Sequence, residues 1–72
     1  MADKVPLGER IATLRRAEGW GQKQLADMAG MTRAFLWQIE TGRCPRPSVW
    51  MMRRLSIALG KTLDYIMEGV EE

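Results

Sequence analysis

Residues 22–42 read QKQLADMAGMTRAFLWQIETG, and the fold follows from where the apolar side chains fall in them. Leu25, Met28 and Ala29 keep helical spacing until Gly30 interrupts it. After Thr32 the spacing resumes through Leu36 and Ile39, and it stops at Gly42. Two short helices therefore meet at a glycine, across a connection of about three residues. Ala26 sits where the first helix must approach the second closely, because a larger side chain leaves no room at a steep crossing. That is the spacing of a helix-turn-helix, whose second helix is shaped to enter the DNA major groove.

Outward from this segment the chain continues to read as helix. Pro6 suits a helix start, and Leu7, Ile11 and Leu14 share one face up to a left-handed cap at Gly19. Trp20 fills an apolar slot before the second helix, whose cap is Gly21. Thr32 is a good cap for the third helix. The stretch Gly42-Arg43-Cys44-Pro45-Arg46-Pro47 reads as a loop. A fourth helix from about Ser48 to Leu59 would turn Val49, Met52, Leu55 and Leu59 inward and end at Gly60. A fifth follows the Thr62 cap, with Leu63 and Ile66 inward, and stops at Gly69. The predicted architecture is all-α: a compact five-helix domain over residues 6–69, with a flexible arm at 1–5 and an acidic tail at 70–72.

Composition bounds what such a domain can do. At 72 residues there is one small domain, of a size that buries about 60% of its unfolded surface and needs a tight core or a partner chain. No histidine is present, so neither a Ser/His/Asp nor a Cys/His arrangement can be built. The carboxylates and the one cysteine lack ligand spacing, so neither a metal nor a cofactor is expected, and the chain does not read as an enzyme. A single cysteine excludes an internal disulfide, and without a secretory apolar segment or a run long enough to span a bilayer a cytoplasmic location is expected. Cys44 reads as an incidental loop thiol. Residues 1–63 hold all 11 Lys and Arg, while Asp64, Glu68, Glu71 and Glu72 close the chain. Between Arg33 and Arg54 five arginines face one acid. A basic surface of this kind suits a polyanion.

Leu7-Gly8-Glu9-Arg10-Ile11, Arg15, Gly19, Gln22, Leu25-Ala26, Gly30-Met31-Thr32, Ile39-Glu40-Thr41-Gly42, Pro47-Ser48, Leu59-Gly60 and Leu63-Asp64 resemble the phage repressor and Cro-like, or XRE-type, helix-turn-helix regulators. The likeness covers roughly residues 7–69 and implies a lambda-repressor-like domain with the motif in helices 2 and 3. It departs from the usual pattern at Gly21, where Ser or Thr is common, and in a loop after helix 3 about one residue longer.

The resemblance also assigns roles. Arg33, Ala34 and Gln38, following the Thr32 cap, match positions that touch base edges, and Thr32 and Trp37 join them as candidate base-reading residues. Arg33 can pair bidentately with guanine and Gln38 with adenine, while Ala34 can offer a methyl group to thymine. Gln22 matches a glutamine that holds phosphate at a helix N-terminus, where free N–H groups favour an anion. Arg43 and Arg46 are placed to reach the DNA backbone, with Lys23 a weaker candidate. Arg15 and Glu40 match a pair that struts helix 1 against helix 3. Trp37, an uncommon aromatic beside the base-facing positions, has three readings: packing on DNA, closing onto the nearby loop, or joining a protein interface. Trp50 and Met51 face outward by their spacing, and their matching positions lie near the twofold axis of a DNA-bound dimer.

The expectation is a sequence-specific, double-stranded DNA-binding transcriptional regulator acting as a homodimer on a short operator, in a bacterial or phage setting. The alternative is an antitoxin that also represses its own operon. Trp50 and Met51 would then grip a toxin, with RNA polymerase as a further possible protein partner. The chain ends soon after helix 5, so no sensor or separate dimerisation domain is expected.

Overall fold

Gly30 is where the local chemistry of the chain and its tertiary geometry meet. It ends α2 (Gln22–Ala29) in the left-handed region, φ 69° and ψ 35°, which glycine enters without a Cβ penalty. Its N–H donates to the Asp27 carbonyl at 3.2 Å and the next N–H, of Met31, to the Ala26 carbonyl at 2.9 Å. These two bonds close the helix as a Schellman motif. Thr32 then opens α3 (Arg33–Glu40) by accepting the Phe35 N–H on its hydroxyl oxygen at 3.0 Å. Three residues thus cap the end of one helix and the start of the next.

The computed structural model describes residues 4–71 and orders five helices: α1 (Leu7–Ala17), α2, α3, α4 (Val49–Leu59) and α5 (Leu63–Met67). Met1, Ala2 and Asp3 of the expected arm and Glu72 of the expected tail lie outside the described residues. Pro6 precedes α1 as its cap, Ser48 caps α4 and Thr62 caps α5, the last two through their hydroxyl oxygens. One core unites the helices: Ile11 and Leu14 of α1, Leu25, Ala26 and Ala29 of α2, Leu36 and Ile39 of α3, Met52, Leu55 and Leu59 of α4, and Ile66 of α5. Trp20 and Cys44 are half-buried against it. Ala26 is fully buried at the crossing of α2 and α3.

Several expectations are corrected. Val49 is 74% exposed although it continues the stripe of Met52, Leu55 and Leu59, because none of the described residues covers that stripe over the first turn of α4. Leu63, first residue of α5, is likewise 39% exposed, and Ile66 alone carries that helix's burial. Met28 lies on the outer edge of α2 and is exposed. The fifth helix stops at Met67 rather than running to Gly69. Val5 and Val70, read as arm and tail, instead pair with each other. The Val5 N–H donates to Gly69 O and the Glu71 N–H to Val5 O, both at 2.9 Å. Val70 is buried, so the folded unit extends past residues 6–69 at both ends.

Two long-range ties use arginine on free carbonyls. Arg10 reaches from α1 to the end of α5, donating to Tyr65 O at 2.6 Å and Ile66 O at 3.2 Å, with its guanidinium 4.9 Å from the Tyr65 ring centre. Arg54 of α4 donates to Gly30 O at 3.3 Å and so holds the turn of the motif. Gly8 is the third fixed point. A Cβ there would overlap the Ile39 carbonyl oxygen and lie 2.8 Å from that of Glu40. Backbone of α1 therefore rests directly on the last turn of α3.

Candidate nucleic-acid interface

With Leu36 and Ile39 fully buried, the helical period turns Arg33, Ala34, Trp37 and Gln38 to solvent. Thr32 is exposed too, but its hydroxyl oxygen is engaged in the cap. Gln22, Arg33, Ala34 and Trp37 line a recess of about 270 Å³ between the start of α2 and the outer face of α3. Five of the residues singled out by the sequence thus come together, because Arg43 joins them: its guanidinium stands over the Trp37 ring, 5.0 Å from the centroid. The loop bearing Arg43 is held to α3 by the Cys44 N–H, which donates to Gln38 O at 3.0 Å. No carboxylate lines the recess.

Behind this face lies the ion pair. Arg15 Nε donates to Glu40 Oε2 at 2.8 Å and Nη2 to Oε1 at 3.0 Å, a bidentate arrangement of side chains only 11% and 4% exposed. The remaining guanidinium nitrogen, Nη1, donates to Trp20 O at 2.8 Å. Gln22 Nε2 donates to Glu40 Oε1 at 3.1 Å. One carboxylate therefore ties α1, the start of α2 and the end of α3 together. It also holds the Gln22 amide at the edge of the recess, with its second N–H and its oxygen uncommitted.

Other expected contacts lie elsewhere. Lys23 pairs with Asp27 at 2.8 Å, an exposed pair one helical turn apart. Arg46 is exposed, but it lines a groove with Pro6, Leu7 and Glu71, away from Arg33 and Trp37. Trp50 is 70% exposed at the start of α4. Met51, expected beside it on the surface, is half-buried, because it lies about a quarter of a turn round the helix towards Met52. The support of the site by Gly8, Arg54 and the Trp20 carbonyl was not read from the sequence. A glycine within an otherwise regular first helix is the one local signal that pointed there.

Among the described residues no group of three His, Cys, Asp or Glu could hold a metal, and no helix is long and apolar enough to cross a membrane. A family model described as a helix-turn-helix domain matches residues 6–64. The chain is 32% identical over 62 residues to the SPbeta prophage-derived HTH-type transcriptional regulator YonR of Bacillus subtilis, covering 86% of this chain and 56% of YonR. It thus spans about half the length of the curated relatives it matches. Among solved structures, the P22 c2 repressor in complex with a synthetic operator superposes with TM-score 0.78 at 30% identity, over 88% of this chain and 94% of that one. SinR, the master regulator of biofilm formation known from Bacillus subtilis, superposes in its DNA complex with TM-score 0.80 at 26% identity, over 85% and 97%. The chain belongs to the helix-turn-helix transcriptional regulators of the phage repressor and Cro-like, XRE type, and its fold is their DNA-binding fold.

Proposed function

We propose that this chain is a sequence-specific regulator of transcription that lays α3 in the major groove of a short operator and binds as a homodimer. The observation that carries the reading is the division of α3 into two faces. Leu36, Ile39 and the Glu40 carboxylate anchor one, and Arg33, Ala34, Trp37 and Gln38 project from the other with no carboxylate among them. Arg33 and Gln38 read purine edges through paired hydrogen bonds, and Ala34 permits close approach. Thr32 contributes position more than hydrogen bonding, since its oxygen caps the helix. Gln22 offers a phosphate its free N–H beside the start of α2, and Arg43 and Arg46 add charge on the flanking loop. Lys23 serves less, being paired with Asp27.

The dimer contact is assigned to Trp50 with Met51 beside it. Trp50 and Val49 leave an apolar surface at the start of α4 that none of the described residues covers. A twofold contact there would set two recognition helices about one turn of DNA apart, roughly 34 Å. The relatives compared above are named as transcriptional regulators or repressors, so the antitoxin alternative gains no support. Selection of bound sequences from a random duplex pool tests the reading: an inverted repeat with half-sites one turn apart is expected. A pool that stays random after repeated selection would refute it.

A further inference from the structure

Arg43 is held at both of its ends. Its two neighbours in the chain each donate a backbone N–H to the last turn of α3, Gly42 to Ile39 O at 3.2 Å and Cys44 to Gln38 O at 3.0 Å. Cys44 is also half-buried against the core, so the backbone that carries Arg43 is tied to the helix. At the far end the guanidinium stands over the Trp37 ring, 5.0 Å from its centroid. Thr41 bonds the Trp37 carbonyl through its N–H at 2.9 Å and its hydroxyl at 2.7 Å, which steadies the backbone beneath that ring. Arg43 is exposed, and among the described residues no carboxylate comes within ion-pair distance of it. An aromatic ring attracts a guanidinium through its quadrupole, which leaves the N–H groups at the guanidinium's edge for an outside acceptor. Arg46, further along the same loop, is the contrast: no aromatic ring lines the groove it shares with Leu7 and Glu71.

We propose that Trp37 is a positioning residue for the DNA backbone: its ring holds the Arg43 guanidinium beside the outer face of α3, so that Arg43 meets a phosphate flanking the major groove already ordered. The inference rests on the reading of α3 as the helix that enters the groove. It gives the exposed tryptophan a task that does not depend on base sequence, because phosphates carry none and the pair should contribute equally on any duplex. A long cation ordered in advance gives up less side-chain freedom when it binds, an advantage of about two- to tenfold in affinity per half-site.

The test is a double-mutant cycle on a random-sequence duplex and on the operator obtained by selection, with melting curves to correct for the folded fraction. Trp37→Ala should weaken both DNAs by the same factor, about two- to tenfold per half-site. Arg43→Ala should then cost less in the Trp37→Ala background than in the wild-type chain, by that same factor, because loss of the ring has already removed the ordering. Arg46→Ala, whose side chain no ring holds, should cost the same in both backgrounds. Trp37→Phe, which keeps an aromatic ring, should restore most of the coupling to Arg43, and Trp37→Leu, which keeps only apolar bulk, should not. These two variants give the answer even where Trp37→Ala fails to fold. Additive losses for Trp37→Ala and Arg43→Ala, a Trp37→Ala loss confined to the operator, or full coupling in Trp37→Leu would each overturn the positioning role while leaving the regulator reading intact. A wild-type chain that selects no sequence and whose binding to duplex DNA does not weaken with salt would refute both, and that outcome is distinct from the others.

Discussion

Glu40→Ala is the substitution whose consequence the structure specifies most closely. The carboxylate it removes accepts from Arg15 Nε, Arg15 Nη2 and Gln22 Nε2, so one change strands two side chains. Arg15 keeps a single acceptor, the Trp20 carbonyl. Breaking a buried pair from one side costs about 3–5 kcal/mol. The lower end applies here, since Arg15 retains that carbonyl and, at 11% exposed, lies close enough to the surface for water to reach the vacated space. About 3 kcal/mol is a large share of the roughly 4–11 kcal/mol expected of 72 residues. For a domain of this size it lowers the melting temperature by about 12–24 °C.

Thermal and urea unfolding of three variants separates the causes. Glu40→Gln keeps the shape but turns an amide N–H₂ towards donors, so it should fall between wild type and Glu40→Ala. The pair Arg15→Met with Glu40→Leu removes both charges and should be more stable than Glu40→Ala alone, because replacing both partners leaves no uncompensated ion. Operator affinity should fall in Glu40→Ala by more than the unfolded fraction explains, since the end of α3 and the Gln22 amide lose their common anchor. A melting temperature within a few degrees of wild type, or a double variant less stable than the single one, would refute the reasoning.

Four further outcomes are expected. Gly8→Ala should destabilise by about 1–3 kcal/mol by urea midpoint, although alanine is the better helix former, because the new methyl overlaps a backbone carbonyl of α3 that cannot swing away; a stabilised protein would disprove the close approach. Gly30→Val should cost more than Gly30→Asn, which tolerates the positive φ of that position, and equal melting temperatures would count against it. Arg33→Ala should lose about 1–3 kcal/mol on the operator and relax the preference at one base pair, whereas Arg43→Ala should weaken operator and random DNA and lower the salt slope by about one; equal losses of Arg33→Ala on both DNAs would contradict base reading. Trp50→Ala should leave the melting curve almost unchanged, because the ring is 70% exposed. It should abolish cooperative binding to paired half-sites, and unchanged cooperativity with unchanged sedimentation would reassign the residue.

What the sequence made legible, and what it did not, divides along the range of the interactions. The caps Thr32 and Thr62 and the glycine ends at Gly30 and Gly60 depend on a few neighbouring residues, and all are present in the structure. Periodicity also identified the buried stripes, but it cannot say where an opposing element stops. Val49 and Leu63 therefore lie on the right faces of their helices and still project into water. The Val5 and Val70 pairing joins opposite ends of the chain through backbone groups alone, and backbone groups carry no sequence signature. Arg15 with Glu40 came from the resemblance and not from spacing, since two charges 25 residues apart meet only once α1 and α3 are packed.

The same distinction bears on function. The identities of Arg33 and Gln38 state which base edges they can match, and that much is readable from residue type. The recess is not, because it forms only once Gln22, held by Glu40, is packed beside Arg33, Ala34 and Trp37. Trp37 had three readings in the sequence because a lone aromatic on an outer helix face has no chemistry of its own to choose among them. In the structure the loop reading has a contact of its own, from Arg43. The Arg43 guanidinium stands over the Trp37 ring, and Trp37 also lines the recess that holds Arg33. A side chain held in this way by the rest of the protein has less side-chain entropy left to lose in any contact it goes on to make.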